Sequence, residues 1–249
     1  MNTSGKSGNE RRIRELEERL AELERVDDIK TQFISIASHE LRTPIAVVHG
    51  IASTLYLRGD LLSGDQLHDL RATLYSQTGR LSSLTEQLLD LSRLDADAIV
   101  LQPERFRPRE RIDELLTRIA PDRADDVQVG VEPALELFTD PNGFERVIGN
   151  LITNALRYGA PPIEVTSIPS NGVELVVEDR GEGVPLDFIP LLFERFAQAD
   201  GAGSHREGAG LGLAIAKSFA IALGGNLRYE AAQPCGARFR FELPRELAA

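Results

Sequence analysis

Residues 63–94 read SGDQLHDLRATLYSQTGRLSSLTEQLLDLSRL. Ser63 followed three residues later by Gln66 predicts a capping box, which opens a helix by pairing two amides that the helix itself leaves unbonded. Leu67, Leu70, Leu74, Gln77, Leu81, Leu84, Leu88 and Leu91 then recur at steps of 3 and 4, one stripe of an amphipathic helix. A matching stripe precedes it, formed by Phe33, Ala37, Leu41, Pro44, Val48, Ile51 and Leu55, with Pro44 as the expected kink and Gly59-Asp60 as the stop. Two long helices joined by a short loop make an antiparallel hairpin. One hairpin cannot bury both stripes, whereas two can, so packing alone predicts a homodimer built on a four-helix bundle.

Upstream, residues 10–26 are dominated by Glu, Arg and Leu, and Ile13, Leu16, Leu20 and Leu23 trace a coiled-coil seam. Val26 follows Leu23 after only three residues, so the heptad slips before the bundle begins. The first helix is predicted from about residue 10 to Arg58, a rod of roughly 70 Å. Residues 1–9 are polar, lack the apolar region of a signal peptide and read as a flexible leader.

Composition narrows the function classes. The chain has 249 residues, 42% hydrophobic, enough for a sizeable core. Lys plus Arg is 28 against 39 Asp plus Glu, a net charge of −11, which argues against a nucleic-acid partner. The lone cysteine, Cys235, excludes an intramolecular disulfide framework. No apolar run of transmembrane length occurs.

After Asp97 the 3.5-residue period stops, and Pro, Gly and β-branched residues rise. The chain is therefore divided into a leader (1–9), a coiled-coil signalling helix (10–26), a dimerisation domain (27–97) and a second domain (98–249). In the last, Arg109–Ala120 reads as a helix, and Val127–Val131 and Leu135–Phe138 as strands. Asp140-Pro141 caps a helix to about Tyr158. Ile163–Ile168 and Val173–Glu178 flank an Asn-Gly hairpin turn. Leu211–Leu223 is a helix stopped by Gly224-Gly225, and Asn226–Ala231 and Ala237–Leu243 are strands. This predicts an α+β sandwich, a mixed sheet with helices on one face.

The chemistry-bearing residues lie on these elements. His39 falls off the buried stripe, on the solvent side, next to Glu40. A carboxylate can keep one imidazole nitrogen protonated and leave the other as a lone pair, a nucleophile's arrangement; an ordinary surface histidine would look alike. Asn150, Asn154 and Arg157 step along the polar face of the 140–158 helix. Amide oxygens suit Mg²⁺ that already carries phosphate, and guanidinium suits phosphate. A solvated polar face is the plain alternative. Glu178-Asp179-Arg180-Gly181-Glu182-Gly183 puts a carboxylate at a strand end ahead of two glycines, where it can accept from an adenine amino group; a plain acidic turn would look similar. Gly208-Ala209-Gly210-Leu211-Gly212 opens a helix, where backbone amides bind anions. Phe193, Phe196 and Gly201 to Gly203 lie between the glycine stretches and read as a mobile lid.

In this order the segments resemble the sensor histidine kinases of two-component systems, over about residues 25–245. Ser38–Pro44 resembles the family's phosphoacceptor box, Asn150–Tyr158 its N box, Asp179–Gly183 and Gly208–Leu213 its two glycine boxes, and Phe193–Phe196 its F box. The resemblance implies a dimeric phosphotransfer bundle followed by a Bergerat-type ATP-binding domain. It also implies His39 as phosphoacceptor, Asn154 as Mg²⁺ ligand and Asp179 as adenine partner. Asn150, Arg157, Tyr158, Gly181, Gly183, Gly208, Gly210, Leu211 and Gly212 would complete the ATP site.

It further implies a response regulator that receives the phosphoryl group, and phosphatase activity through Thr43, one turn after His39. The core would be cytoplasmic, part of a longer protein that could be membrane-anchored and whose sensor is absent here. The sequence departs from the family at Gly236-Ala237, where Gly-Thr or Gly-Ser is common, and at Arg157-Tyr158. Two other readings fit parts of the pattern: another ATPase of the same superfamily, and a non-catalytic dimeric scaffold.

Overall fold

The structure is a computed structural model that describes residues 34–96, 98–169, 172–198 and 209–244. The leader, the coiled-coil seam, Phe33, the 201–203 glycines, His205 and Gly208 lie outside the described residues. Two compact units meet between Leu84 and Thr85.

In the first unit, helix α1 is described over 34–58 and runs through Pro44. A 3₁₀ turn, Gly59–Leu61, leads into α2 (Gly64–Asp95). The capping box forms as expected: Ser63 N donates to Gln66 Oε1 at 2.9 Å, and Gln66 N donates to Ser63 Oγ at 3.3 Å. Pro44, Ile51 and Leu84 are buried, but Ala37, Leu41, Val48, Leu55, Leu67, Leu70, Leu74 and Leu81 are only half-buried within the single hairpin. Hydroxyls on these helices turn back to the carbonyl four residues earlier, among them Thr54 to Gly50, Thr73 to Asp69 and Thr78 to Leu74. Thr43 makes no such bond.

The boundary between the units falls inside α2, upstream of the change in residue pattern at 97. The last turns of α2 belong to the second unit, where Arg146 meets Glu86 at 2.8 Å and the buried Asp90 at 3.0 Å.

The second unit contains β1 (Glu104–Phe106), α3 (Pro108–Ile119), β2 (Val127–Gly130), β3 (Leu137–Thr139), α4 (Pro141–Tyr158), β4 (Ile163–Pro169), β5 (Val173–Glu178), α5 (Gly212–Ala222), β6 (Asn226–Ala231) and β7 (Ala237–Leu243). The main sheet has the order β2-β4-β5-β7-β6, with β2 parallel to β4 and the other pairs antiparallel. In the β4–β5 hairpin the register pairs Pro169 with Val173. One expectation needs correction. The strand near 135–138 does not join the main sheet; it pairs with β1 in a separate two-stranded ribbon.

Alternation along β7 explains the layering. Phe239, Phe241 and Leu243 are buried beneath the helices, while Arg238 and Arg240 face outward. The outer face is covered by ion pairs instead of a second layer: Arg238 with Glu178 at 2.5 Å, Arg240 with Glu230 at 2.7 Å and with Glu174, and Arg228 with Glu242. These pairs range from exposed to largely covered, and they keep that face polar and the helices on the other.

Helix α4 is the centre of the core. Phe144, Val147, Ile148, Leu151 and Ile152 are fully buried. Its N-cap is tied twice: Asp140 Oδ1 accepts from Gly143 N at 2.6 Å, and Oδ2 accepts from Gln102 N at 2.7 Å. Asp140→Ala strands both amides, that of Gly143 in a buried position. It is expected to cost about 2–3 kcal/mol, read by chemical denaturation as a fall in the midpoint at unchanged slope.

Candidate active site

Asp179 sits at the end of β5, 3% exposed, with glycines on every side. Its Oδ1 accepts from Gly181 N at 2.8 Å and from Ala237 N at 3.3 Å. A Cβ on Gly159 would lie 2.4 Å from Asp179 Cγ, and one on Gly181 would lie 2.8 Å from Gly159 Cα. Gly236 has φ +113, and a Cβ there would stand 1.9 Å from the Asp179 carbonyl oxygen. Gly183, at φ +78, approaches Gly236 O in turn. Only glycine fits such close backbone packing. Gly181 and Gly183 are the two of these glycines that stand out in the sequence. Gly159 reads there as an ordinary helix stop, and nothing local marks the caging role of Gly236.

The N-box residues lie on the polar side of α4. Asn154 is half-exposed, and Arg157 and Tyr158 are exposed at the helix end. Asn150 Nδ2 donates to Arg146 O at 2.7 Å, and its Oδ1 stands over Gly212, where a Cβ would approach to 2.9 Å. The second glycine box is thereby brought against the N box.

Helix α5 starts at Gly212, and Leu211 is its N-cap residue with a side chain 1% exposed, so Leu211 has only its backbone to offer a ligand. Gly210, at φ +67, serves a neighbour. Phe196 N donates to Gly210 O at 2.9 Å, and a Cβ on Gly210 would meet Ala197 O at 2.7 Å. The end of the F box therefore closes on it.

In the first unit, the His39 side chain is 76% exposed. Its Nδ1 faces Glu40 Oε1 at 3.9 Å, beyond hydrogen-bond length, while Glu40 Oε2 accepts from Arg80 at 3.1 Å. Glu40 is the residue that the sequence expects to hold one ring nitrogen of the imidazole. Arg80 on α2, which no local sequence signal singles out, shares that carboxylate.

An exposed histidine on a helical hairpin, with a glycine-caged aspartate and an asparagine-bearing helix in an α+β sandwich, defines a phosphoacceptor domain joined to a Bergerat-type nucleotide-binding domain. Residues 29–97 match the His Kinase A (phospho-acceptor) domain, and residues 139–247 match the histidine kinase-, DNA gyrase B-, and HSP90-like ATPase family. The sensory/regulatory protein RpfC of Xanthomonas campestris pv. campestris is 33% identical over 246 residues, 93% of this chain and 34% of that protein. The histidine-protein kinase/phosphatase MprB of Mycobacterium bovis is 33% identical over 216 residues, 83% of this chain and 42% of that protein. The solved histidine kinase AdeS of Acinetobacter baumannii superposes with a TM-score of 0.63 at 25% identity, over 83% of this chain and 98% of that one. The chain belongs to the sensor histidine kinases and spans less than half the length of these two curated relatives. Among the described residues no helix is long and apolar enough to cross a membrane.

Burial pushes the Asp179 carboxyl above its ordinary value of 3.8, helped by Glu178, against the pull of the Gly181 and Ala237 amides and of Arg180. A raised carboxyl pKa means that the folded chain holds this proton more tightly than the unfolded chain. Ionisation therefore costs stability as pH climbs from about 3.8 through the raised value, and the cost is fully present above it. Asp179→Asn keeps an acceptor for the two amides and removes the charge. It is expected to melt higher than wild type at pH 7, with the gain vanishing as pH falls below about 3.8. An equal or lower melting temperature at pH 7 would mean that the two hydrogen bonds outweigh burial.

Proposed function

We propose that this chain is an ATP-dependent protein-histidine kinase that phosphorylates its own His39 and passes the phosphoryl group to an aspartate of a response regulator. The observation that carries the reading is the presence, in one chain, of the exposed His39–Glu40 pair on a hairpin and the buried, glycine-caged Asp179. Oδ1 of Asp179 takes both backbone amides, which leaves Oδ2 for the adenine amino group. The first-turn amides of α5 have no side-chain cap and can face phosphate, with Gly208 and Arg157 as further contributors.

Asn154 is the residue that would hold Mg²⁺, and its half-exposed amide oxygen on the polar face of α4 suits a cation shared with phosphates. Bound there, Mg²⁺ would neutralise phosphate charge. Nδ1 of His39 faces Glu40, so Nε2 is the nitrogen turned outward. Its lone pair attacks the γ-phosphorus in line, the bond to the bridging oxygen breaks, and ADP departs. Glu40 takes the Nδ1 proton, while Arg80 on its other oxygen keeps the carboxylate aimed. Arg157 and the α5 amides offset the charge that grows on the phosphoryl oxygens.

The half-buried stripes of both helices support a homodimer, since a second hairpin would cover them. The functional boundary is placed near 97, with the phosphoacceptor domain before it and the ATP-binding domain after it.

A phosphatase role for Thr43 is favoured by its unused hydroxyl. Its neighbours Thr54, Thr73 and Thr78 spend theirs on helix carbonyls, whereas Thr43, exposed one turn from His39, is left to orient water.

With labelled ATP, His39→Gln is expected to abolish acid-labile phosphate while ADP affinity stays within about twofold. Label retained in that variant, or absent from wild type, would reject the acceptor. Thr43→Ala is expected to keep autophosphorylation and lose at least tenfold in dephosphorylation of the cognate regulator; a parallel fall in both, with a lower melting temperature, would assign Thr43 to the helix instead.

A further inference from the structure

The first glycine turn is held from the far edge of the sheet. Tyr229 lies on β6, the edge strand. Its hydroxyl accepts from Val184 N at 3.2 Å, and a Cβ on Gly183 would lie 3.7 Å from the same oxygen. The Tyr229 ring sits 5.6 Å from Phe239, and Phe239 meets Phe193 edge-on at 6.4 Å. Lys217 of α5 caps the series, with Nζ 5.5 Å over the Phe193 ring while it donates to Asn226 Oδ1 at 2.6 Å and Leu227 O at 2.8 Å. A row of side chains therefore runs from α5, through the F box and the sheet, to the turn after Asp179.

We propose that Tyr229 is a positioning residue of the nucleotide site, its phenol fixing the Gly181–Val184 turn against Asp179. Gly181 and Gly183 bear no side chains and Gly183 adopts φ +78, so beyond the bond from Gly181 N to Asp179 the turn has no side chain of its own glycines to pack it in place. The unligated turn would otherwise sample many conformations, and ordering it would weaken every binding event. Tyr229 supplies that order in advance. Phe239 fixes its ring, and the chain through Phe193 to Lys217 links the order of this turn to that of the F box. The inference rests on the adenine-nucleotide reading of the site.

Tyr229→Phe keeps the ring stack and removes only the acceptor. Calorimetry with Mg-ADP on the full chain is expected to give a dissociation constant about five- to tenfold higher. KM for ATP in autophosphorylation should rise alike with kcat unchanged. Hydrogen exchange at the Val184 amide should accelerate, while the melting temperature without nucleotide stays within about 2 °C of wild type. Tyr229→Leu, which also breaks the stack, should add a drop in melting temperature. Wild-type affinity in Tyr229→Phe, or a loss that appears only in step with a fall in melting temperature, overturns the positioning role. Failure of wild type to bind Mg-ADP overturns the nucleotide reading itself.

Discussion

The constraint on which the second unit depends is the burial of one carboxylate, Asp179, at a strand end. A buried carboxylate without compensation is costly, and backbone amides are the compensation available here. For Gly181 N and Ala237 N to reach the same oxygen, three chain segments must close around it. That closeness admits no side chain at Gly159, Gly181 or Gly236. The glycines are consequences of the carboxylate, and β5, β7 and the end of α4 are placed to deliver them. Burial also raises the carboxyl pKa, so the site carries a stability cost, a common trade where a group is kept for recognition instead of packing.

Helix α4 joins core and site. Its apolar face is fully buried, so its rotation about its own axis is fixed by packing, and Asn150 and Asn154 are aimed by the same packing. Asp140 sets where the helix starts, and Arg123, which donates to Leu156 O at 2.7 Å, helps to set where it ends. Two asparagines in mid-helix lower helix propensity. The buried stripe opposite them is large enough to tolerate that.

Periodicity made most of this legible. β5, β6 and β7 run where alternation predicts, and the capping box at Ser63–Gln66 forms as written. What escaped has a common cause: it depends on neighbours distant in sequence. β1 is three residues without a pattern of its own, and it exists because β3 pairs with it. Arg80 is one polar residue among many on α2 until the hairpin closes on Glu40. Gly159 and Gly210 carry no sign that Asp179 and the 196–197 backbone press against them. Tyr229 reads as a strand residue; its hydroxyl finds a partner 45 positions away.

Under the proposed function the two key groups make opposite demands on solvent. As phosphoacceptor, His39 would have to be open for a phosphorus centre to approach its outward nitrogen, and it is 76% exposed. As adenine acceptor, Asp179 would have to be dry so that a single hydrogen bond is not in competition with water, and it is 3% exposed. One packed core cannot meet both demands at adjacent positions, because a group carried on a bundle's outer face cannot share the shell of a closed cage. The residue pattern divides accordingly, with a 3.5-residue period before 97 and strand alternation after it. A helical hairpin can present a side chain radially without any core of its own around that side chain, whereas a glycine cage needs several chain segments converging on a point. The change of pattern along the chain follows from that difference.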